Sequence, residues 1–285
     1  MLIFKKIKPL QAHLRQLRKE GRRIGFIPTM GALHAGHLAL IRECQKEKCV
    51  PVCSIFVNPT QFNDPTDYQQ YPITISRDID QLEMSGCAIL FLPSIEEIYP
   101  RGVKRPAKTD YGHLTADLEG ACRPGHFDGM IQVVRRLLAI TQPDRLFMGQ
   151  KDFQQQLIVG KLIKEMKLST RLHRCATIRE KDGLAMSSRN VRLVPAARRR
   201  ALVLFQTLMY CKKVLSRIGV EKTLKAAQER LKKEKDIQLE YVSFRDAKTF
   251  RTTKLTEREI VVLIAAIVNG VRLIDNMLIL PKKAS

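Results

Sequence analysis

Between residues 24 and 176, short apolar segments alternate with segments of helical period, and nothing else in the chain limits its fold as strongly. Strands are expected at 24–27, 50–57, 88–92, 145–147 and 171–176, with helices at 37–46, 76–85, 129–140 and 153–166 between them. Such alternation builds an α/β domain, a doubly wound parallel sheet covered by helices, and its ligands sit beyond the carboxyl ends of the strands. Three unusual polar runs, 29–37, 58–62 and 148–152, each follow directly on an expected strand. They are therefore expected to converge on one edge of the sheet.

The pattern changes after about 177–182. Pro195 opens a long helical stretch, 196–217, in the first-turn position that tolerates proline. A second helix is expected at 221–235 and short strands at 239–244, 259–267 and 271–274. Asn269-Gly270 between the last two is a strong hairpin signal. The expected division is residues 1–177 and a smaller α+β domain, 178–285.

Composition narrows the class. At 45% hydrophobic and 27% charged residues, the 285-residue chain is that of a folded globular protein. No apolar run approaches the roughly 20 residues of a membrane span, and residues 1–6 do not read as a signal peptide. The cytoplasm is the expected compartment. The seven cysteines contain no C-x-x-C pair, which argues against a zinc site and for buried thiols. The net charge of +22 suits either a nucleic-acid binder or an enzyme with polyanionic small substrates. Aromatics are 6% of the chain and no basic–aromatic stripe offers bases a stacking platform, so nucleic acid is not an expected partner.

The run Pro28-Thr29-Met30-Gly31-Ala32-Leu33-His34-Ala35-Gly36-His37 joins the expected strand 24–27 to its helix. A helix N-terminus presents unpaired N–H groups, and glycines allow close backbone approach, so this is an expected phosphate site. His34 and His37, three apart, are expected to reach one anion. An ordinary glycine turn with two surface histidines is the plainer alternative. Asn58-Pro59-Thr60-Gln61-Phe62 supplies amide donors and acceptors suited to a polar organic substrate. In Gly149-Gln150-Lys151-Asp152, Gly149 permits close approach, Lys151 brings a point charge for phosphate, and Asp152 accepts ribose hydroxyls or caps the next helix. Gln155 is expected one turn on, facing the same cavity. Met186-Ser187-Ser188-Arg189-Asn190 places two hydroxyls and a guanidinium in a mobile small-residue loop, fit to close over a triphosphate. For His126 and Asp128, helix capping and loop structure are the expected role, with substrate contact as the alternative. No Walker-type loop and no paired-carboxylate pattern is present.

Taken together and in this order, the four runs resemble the pantoate–β-alanine ligase family, and the resemblance extends through Leu273-Ile274-Asp275-Asn276. It implies a Rossmann-like nucleotide- and pantoate-binding domain and a lid domain. The implied reaction is ATP-dependent: pantoate and ATP give pantoyl adenylate and pyrophosphate, then β-alanine displaces AMP. It further implies that Met30, Gly31, Ala32, Leu33, His34, Ala35, Gly36 and His37 line the ATP site, with His37 as proton donor. Gly149, Gln150, Lys151, Asp152, Ile178, Met186, Ser187, Ser188 and Arg189 would also bind ATP. Gln61 and Gln155 would hold pantoate, Gln61 bordering β-alanine, with Asn58 beside them. His34, His37, Lys151 and Arg189 are the donors available for catalysis. Mg²⁺ carried by the nucleotide and a homodimer are implied too. The chain departs from the family pattern at Met148, at Gln150, where Glu is commoner, and at Ile73, where Arg is frequent. A transferase acting on a phosphorylated acceptor, or an RNA-binding module, are the competing readings.

Overall fold

The computed structural model describes residues 1–254 and 258–280, so positions 255–257 and 281–285 of the expected second domain lie outside the described residues. The chain divides into two compact units, Met1–Ala176 and Thr177–Ser285.

In the first unit, strands β1 (Leu2–Phe4), β2 (Arg23–Thr29), β3 (Cys49–Ile55), β4 (Ile89–Phe91), β5 (Arg145–Gly149) and β6 (Arg171–Cys175) form one sheet in the order β1-β4-β3-β2-β5-β6. Every pairing is parallel. β3 is buried along its whole length, as a parallel strand covered on both faces must be. Alternate residues feed two cores. Phe26 packs with Leu137, Ile158 and Leu162 on one face, while Ile27 packs with Ile41, Leu82 and Phe147 on the other. Met148 is buried in the first of these cores, so its departure from the family pattern is a packing choice. Ile73 stands 73% exposed, and nothing in the structure explains it.

The second core also takes Cys44, Cys49, Cys53, Cys87 and Cys175 as small hydrophobes. Burial pushes the Cys87 thiol up to about 11 and that of Cys175 up to about 12, far from the thiolate form.

Besides several helices of four or five residues, β1, which is only three residues long, and the helix Ile7–Lys19 escape the sequence reading. The helix buries Leu10 and Leu14 from a stripe that includes Ile7 and Leu17, so its signal was a plain i, i+3, i+7, i+10 spacing.

In the second unit, β7 (Ile237–Asp246), β8 (Ile260–Val268) and β9 (Val271–Ile279) make an antiparallel sheet. Asn269 and Gly270 both adopt positive φ (47° and 76°), the two-residue turn whose twist matches the flanking strands. Pro195 opens a short helix, Pro195–Arg200, and a long helical stretch, Leu202–Lys232, follows, broken by non-helical Gly219 (φ 77°, ψ 171°) near the expected junction of two helices. Leu204, Leu208 and Leu215 of this stretch pack with Val262, Ile264 and Val268 of β8.

Candidate active site

Strand order reverses beside β2: the chain passes from β2 to β3 on one side, and β5 lies on the other. The carboxyl ends of β2 and β5 therefore flank the crevice where doubly wound sheets bind ligands. The turns leaving these two strands and β3 contain most of the first-unit residues singled out from the sequence.

Leaving β2, Thr29 Oγ1 donates to the Ser54 carbonyl at 2.7 Å and accepts from Gly31 N at 3.2 Å. Gly31 and Ala32 follow in the left-handed region (φ 81° and 48°), an arrangement that needs support at the non-glycine position. Asp78 supplies it. Its carboxylate is buried and accepts from Ala32 N at 2.9 Å, Leu33 N at 2.8 Å and Thr74 Oγ1 at 3.0 Å. A Cβ on Gly31 would come within 3.0 Å of Asp78 Oδ2 and 3.1 Å of Ile55 Cγ2. Sequence reasoning missed Asp78, although an acidic residue on the buried stripe of the helix Ile75–Met84, beside Leu82, was a visible signal.

The helix Ala35–Lys46 begins two residues before its expected start, with His34 as N-cap. His34 Nδ1 accepts from Gly36 N at 3.1 Å, and His37 Nδ1 accepts from His34 N at 3.4 Å. Together they form a capping box built from two imidazoles. The ring centroids are 4.1 Å apart. Burial first, then the neighbouring His34 and Lys151, hold the His37 imidazole well below its ordinary range. Although some of the side chain remains accessible, these three causes act in one direction. His37 is therefore neutral, and with Nδ1 accepting from the backbone its proton sits on Nε2. A neutral imidazole of this kind offers a hydrogen bond from Nε2.

Leaving β3, Asn58 is buried and forms a hub. Its Nδ2 donates to the Gly129 carbonyl at 3.1 Å and to Gln61 Oε1 at 3.3 Å, while its Oδ1 accepts from Tyr99 at 2.8 Å and Thr60 at 3.2 Å. Both donors and both acceptor sites of the amide are thus engaged inside the fold. Gln61, at the end of the turn Pro59–Gln61, donates from Nε2 to the Met30 sulfur at 2.8 Å, which places it against the loop after β2. Gly129 lies so close that a Cβ would meet the Thr60 carbonyl oxygen at 2.0 Å. The helix His126–Thr141 therefore abuts this turn directly.

Leaving β5, the short turn Gln150–Asp152 precedes the helix Phe153–Glu165. A Cβ on Gly149, whose φ is an ordinary −72°, would meet nothing within 4 Å. Asp152 occupies the N-cap position yet makes no capping hydrogen bond, and its carboxylate lies 3.8 Å from Lys151 Nζ. Three consecutive glutamines then diverge. Gln154 is buried and donates to Leu114 O and Asp117 O at 2.9 and 2.8 Å. Gln156 is buried and donates to Met148 O at 2.9 Å. Gln155 between them stays half-buried.

In the second unit, Ile178 and Met186 sit at the base of a small hairpin, where Met186 N donates to Ile178 O at 3.0 Å and Glu180 N to Leu184 O at 2.8 Å. Arg179 anchors it with a bidentate pair to Asp275 (2.6 and 2.9 Å), a bond to Asn276 O at 3.2 Å, and stacking on Phe205 at 4.5 Å. Gly183 (φ 99°) presses on the same ring. Ser187 Oγ caps the turn Ser188–Arg192 by accepting from Arg189 N at 3.3 Å, and Asn190 Nδ2 donates to Glu180 and Ala185. The segment 186–190 is thus a pinned hairpin end and turn, not the loose loop its small residues suggested.

A doubly wound nucleotide-binding unit followed by a small α+β unit is the class that this topology and this histidine-capped turn define. A family model described as pantoate–β-alanine ligase matches residues 2–278, and the chain belongs to that family. It is 41% identical over 279 residues to a pantothenate synthetase of Bacteroides thetaiotaomicron, covering 97% of this chain and 98% of the relative. The crystal structure of pantothenate synthetase from Thermus thermophilus superposes with a TM-score of 0.90 at 36% identity, over 97% of this chain and 99% of that one. A Francisella tularensis pantoate–β-alanine ligase, solved with β,γ-ATP and β-alanine, matches with a TM-score of 0.81 at 36% identity, over 98% and 97% of the two chains.

Proposed function

We propose that this chain joins pantoate to β-alanine at the expense of ATP, through a pantoyl adenylate. A pantoate carboxylate oxygen attacks the α-phosphorus, and the bond to pyrophosphate breaks. The β-alanine amine then attacks the acyl carbon, loses a proton, and AMP leaves. The observation that carries the reading is the pair of histidines at the sheet's reversal point, set in a chain that matches the ligase family along nearly its whole length.

Positioning and fixed donors supply most of the barrier reduction in such a reaction. We assign the N–H groups and glycines of Met30 to His37 to the triphosphate, with His34 and His37 donating from Nε2. The suppressed basicity of the free ring favours a fixed dipole before the phosphates arrive, and the expected role of His37 as proton donor stands beside it. Lys151 balances charge on the phosphates. The uncapped carboxylate of Asp152 is available for ribose hydroxyls, and the open face of Gly149 allows close approach of the nucleotide.

Gln61 and Gln155 are assigned to pantoate, with Gln61 also bordering β-alanine. Asn58, expected as a substrate contact, is reassigned as the residue that holds Gln61 in place, since its amide is engaged within the fold. Ile178, Met186, Ser187, Ser188 and Arg189 of the second unit are assigned to ATP as its lid, with Arg189 neutralising phosphate charge.

Mg²⁺ is expected to arrive on the phosphates. The described residues include no cluster of three or more His, Cys, Asp or Glu side chains placed to hold a metal, and Mg²⁺ bound to a nucleotide needs few protein ligands. When bound, it would offset charge on the departing pyrophosphate. A homodimer and a cytoplasmic setting complete the reading, the latter suited to cysteines that serve as buried small hydrophobes.

The test is pyrophosphate exchange. Exchange should depend on pantoate, and AMP should accumulate only when β-alanine is added. A preparation that binds ATP but exchanges no label with pantoate present would overturn the reading.

A further inference from the structure

A buried polar chain links the segment that presents Gln61 to the segment that presents Gln155. The Gln61 carbonyl lies 2.7 Å from His126 Nδ1. A carbonyl only accepts, so Nδ1 carries the proton and the Nε2 lone pair accepts from Arg123 Nη1 at 3.1 Å. The always-charged guanidinium therefore favours one tautomer of the neutral ring. Arg123 also donates from Nε to Asn63 Oδ1 at 3.4 Å, just beyond the Gln61 turn, and lies 3.9 Å from Glu119 Oε2. Glu119 N donates to Gln154 Oε1 at 3.2 Å, and Gln154 adjoins Gln155 in the chain. His126, Glu119 and Gln154 are all buried. Gln154 accepts from Glu119 N on one side of Leu118 and donates to Asp117 O on the other; Leu118 is a non-glycine residue at positive φ (49°), so the tie holds a strained link in place.

We infer that Arg123 and His126 are positioning residues that set the place of Gln61 relative to Gln155, and through it the recognition of the hydroxy-acid substrate. The inference rests on the reading that these two glutamines hold pantoate. Helix capping, the plainer role for His126, does not explain the contacts: Gly125 is the N-cap, and His126 Nδ1 bonds to the Gln61 carbonyl, 65 residues away.

Steady-state kinetics of the full chain tests this with His126→Phe, His126→Asn, Arg123→Lys and Gln61→Ala. His126→Phe keeps a ring but has no donor, and it should raise the KM for pantoate about tenfold while leaving that for ATP within about twofold, a tenfold change being 1.4 kcal/mol of binding. His126→Asn can donate an amide N–H to the Gln61 carbonyl and should recover most of the loss. If His126→Phe does not fold, Arg123→Lys carries the test, with an expected rise of severalfold in the same constant.

An unchanged KM for pantoate in whichever of these two variants is folded and read would overturn the inference. So would a parallel rise for ATP, or an Asn variant no better than Phe. Gln61→Ala separates the two levels: if it leaves pantoate KM unaltered, the reading of Gln61 itself is wrong. If it raises that KM while His126→Phe does not, only the positioning role falls.

Discussion

The turns leaving β2 and β5 lie on neighbouring strands and are held in opposite ways. The first is fixed by the protein through its backbone amides: Asp78 takes two of them, Thr29 a third, and two histidines close the helix end. In the second, Gly149 faces open space and Asp152 makes no capping hydrogen bond to its helix. Groups that the fold satisfies shape a site before ligand arrives, whereas groups that it leaves loosely engaged derive their purpose from the ligand. The contrast predicts that changes in the β2 turn disturb both folding and catalysis, while changes in the β5 turn disturb catalysis alone.

The largest expected effect falls on one side chain from each turn. His37→Ala and Lys151→Ala should each lower pantoate-dependent pyrophosphate exchange on the order of a hundredfold, as for lost transition-state donors. Near-normal exchange in both would remove the assignment of these residues. Asp78→Ala should separate the two turns most sharply. Loss of a carboxylate bonded to two backbone amides should destabilise the protein by about 2 kcal/mol, read as a lower urea midpoint, alongside weaker exchange. An unshifted midpoint would mean that the β2 turn is not held as described.

Gly149→Ala is the converse probe. Its added methyl meets no protein atom and the backbone angle is ordinary, so stability should stay within about 0.5 kcal/mol of the parent. The KM for ATP should nevertheless rise about tenfold, equivalent to 1.4 kcal/mol. A variant equally active with ATP would show that the nucleotide does not approach there.

The smallest effect is a pH dependence. His37 binds its proton more weakly folded than unfolded, so below the ordinary histidine value the unfolded state holds more protons. Stability should be fully present above about pH 6.5 and fall as pH drops, with His37 contributing at most about 1.4 kcal/mol per pH unit. His37→Gln should flatten that part of the profile. An unchanged slope between pH 7 and 5 would place the suppressed basicity elsewhere.

Much of the fold was legible because parallel-sheet strands are continuous apolar runs and covering helices keep a 3.6-residue period. β3, the helix Phe153–Glu165 and the Asn269-Gly270 hairpin all follow from such local signals. Three-residue β1 offers too little sequence for any period to show. The motif residues were legible as a set, but their division of labour was not. Gln154, Gln155 and Gln156 are identical in composition and adjacent in sequence, yet only Gln155 stays half-buried without being drawn into a buried backbone contact of the kind its neighbours make.

By itself, the sequence determined the alternation of strands and helices, the glycine turn before a helix that opens with two histidines, and membership of a ligase family. Tertiary structure alone decided that Asp78 supports the β2 turn, that Asn58 faces inward, and that His126 bonds to Gln61 across 65 residues. Periodicity and turn chemistry act between near neighbours along the chain. Which polar atoms are satisfied, and which are left for a substrate, depends on partners that meet only when distant segments pack together.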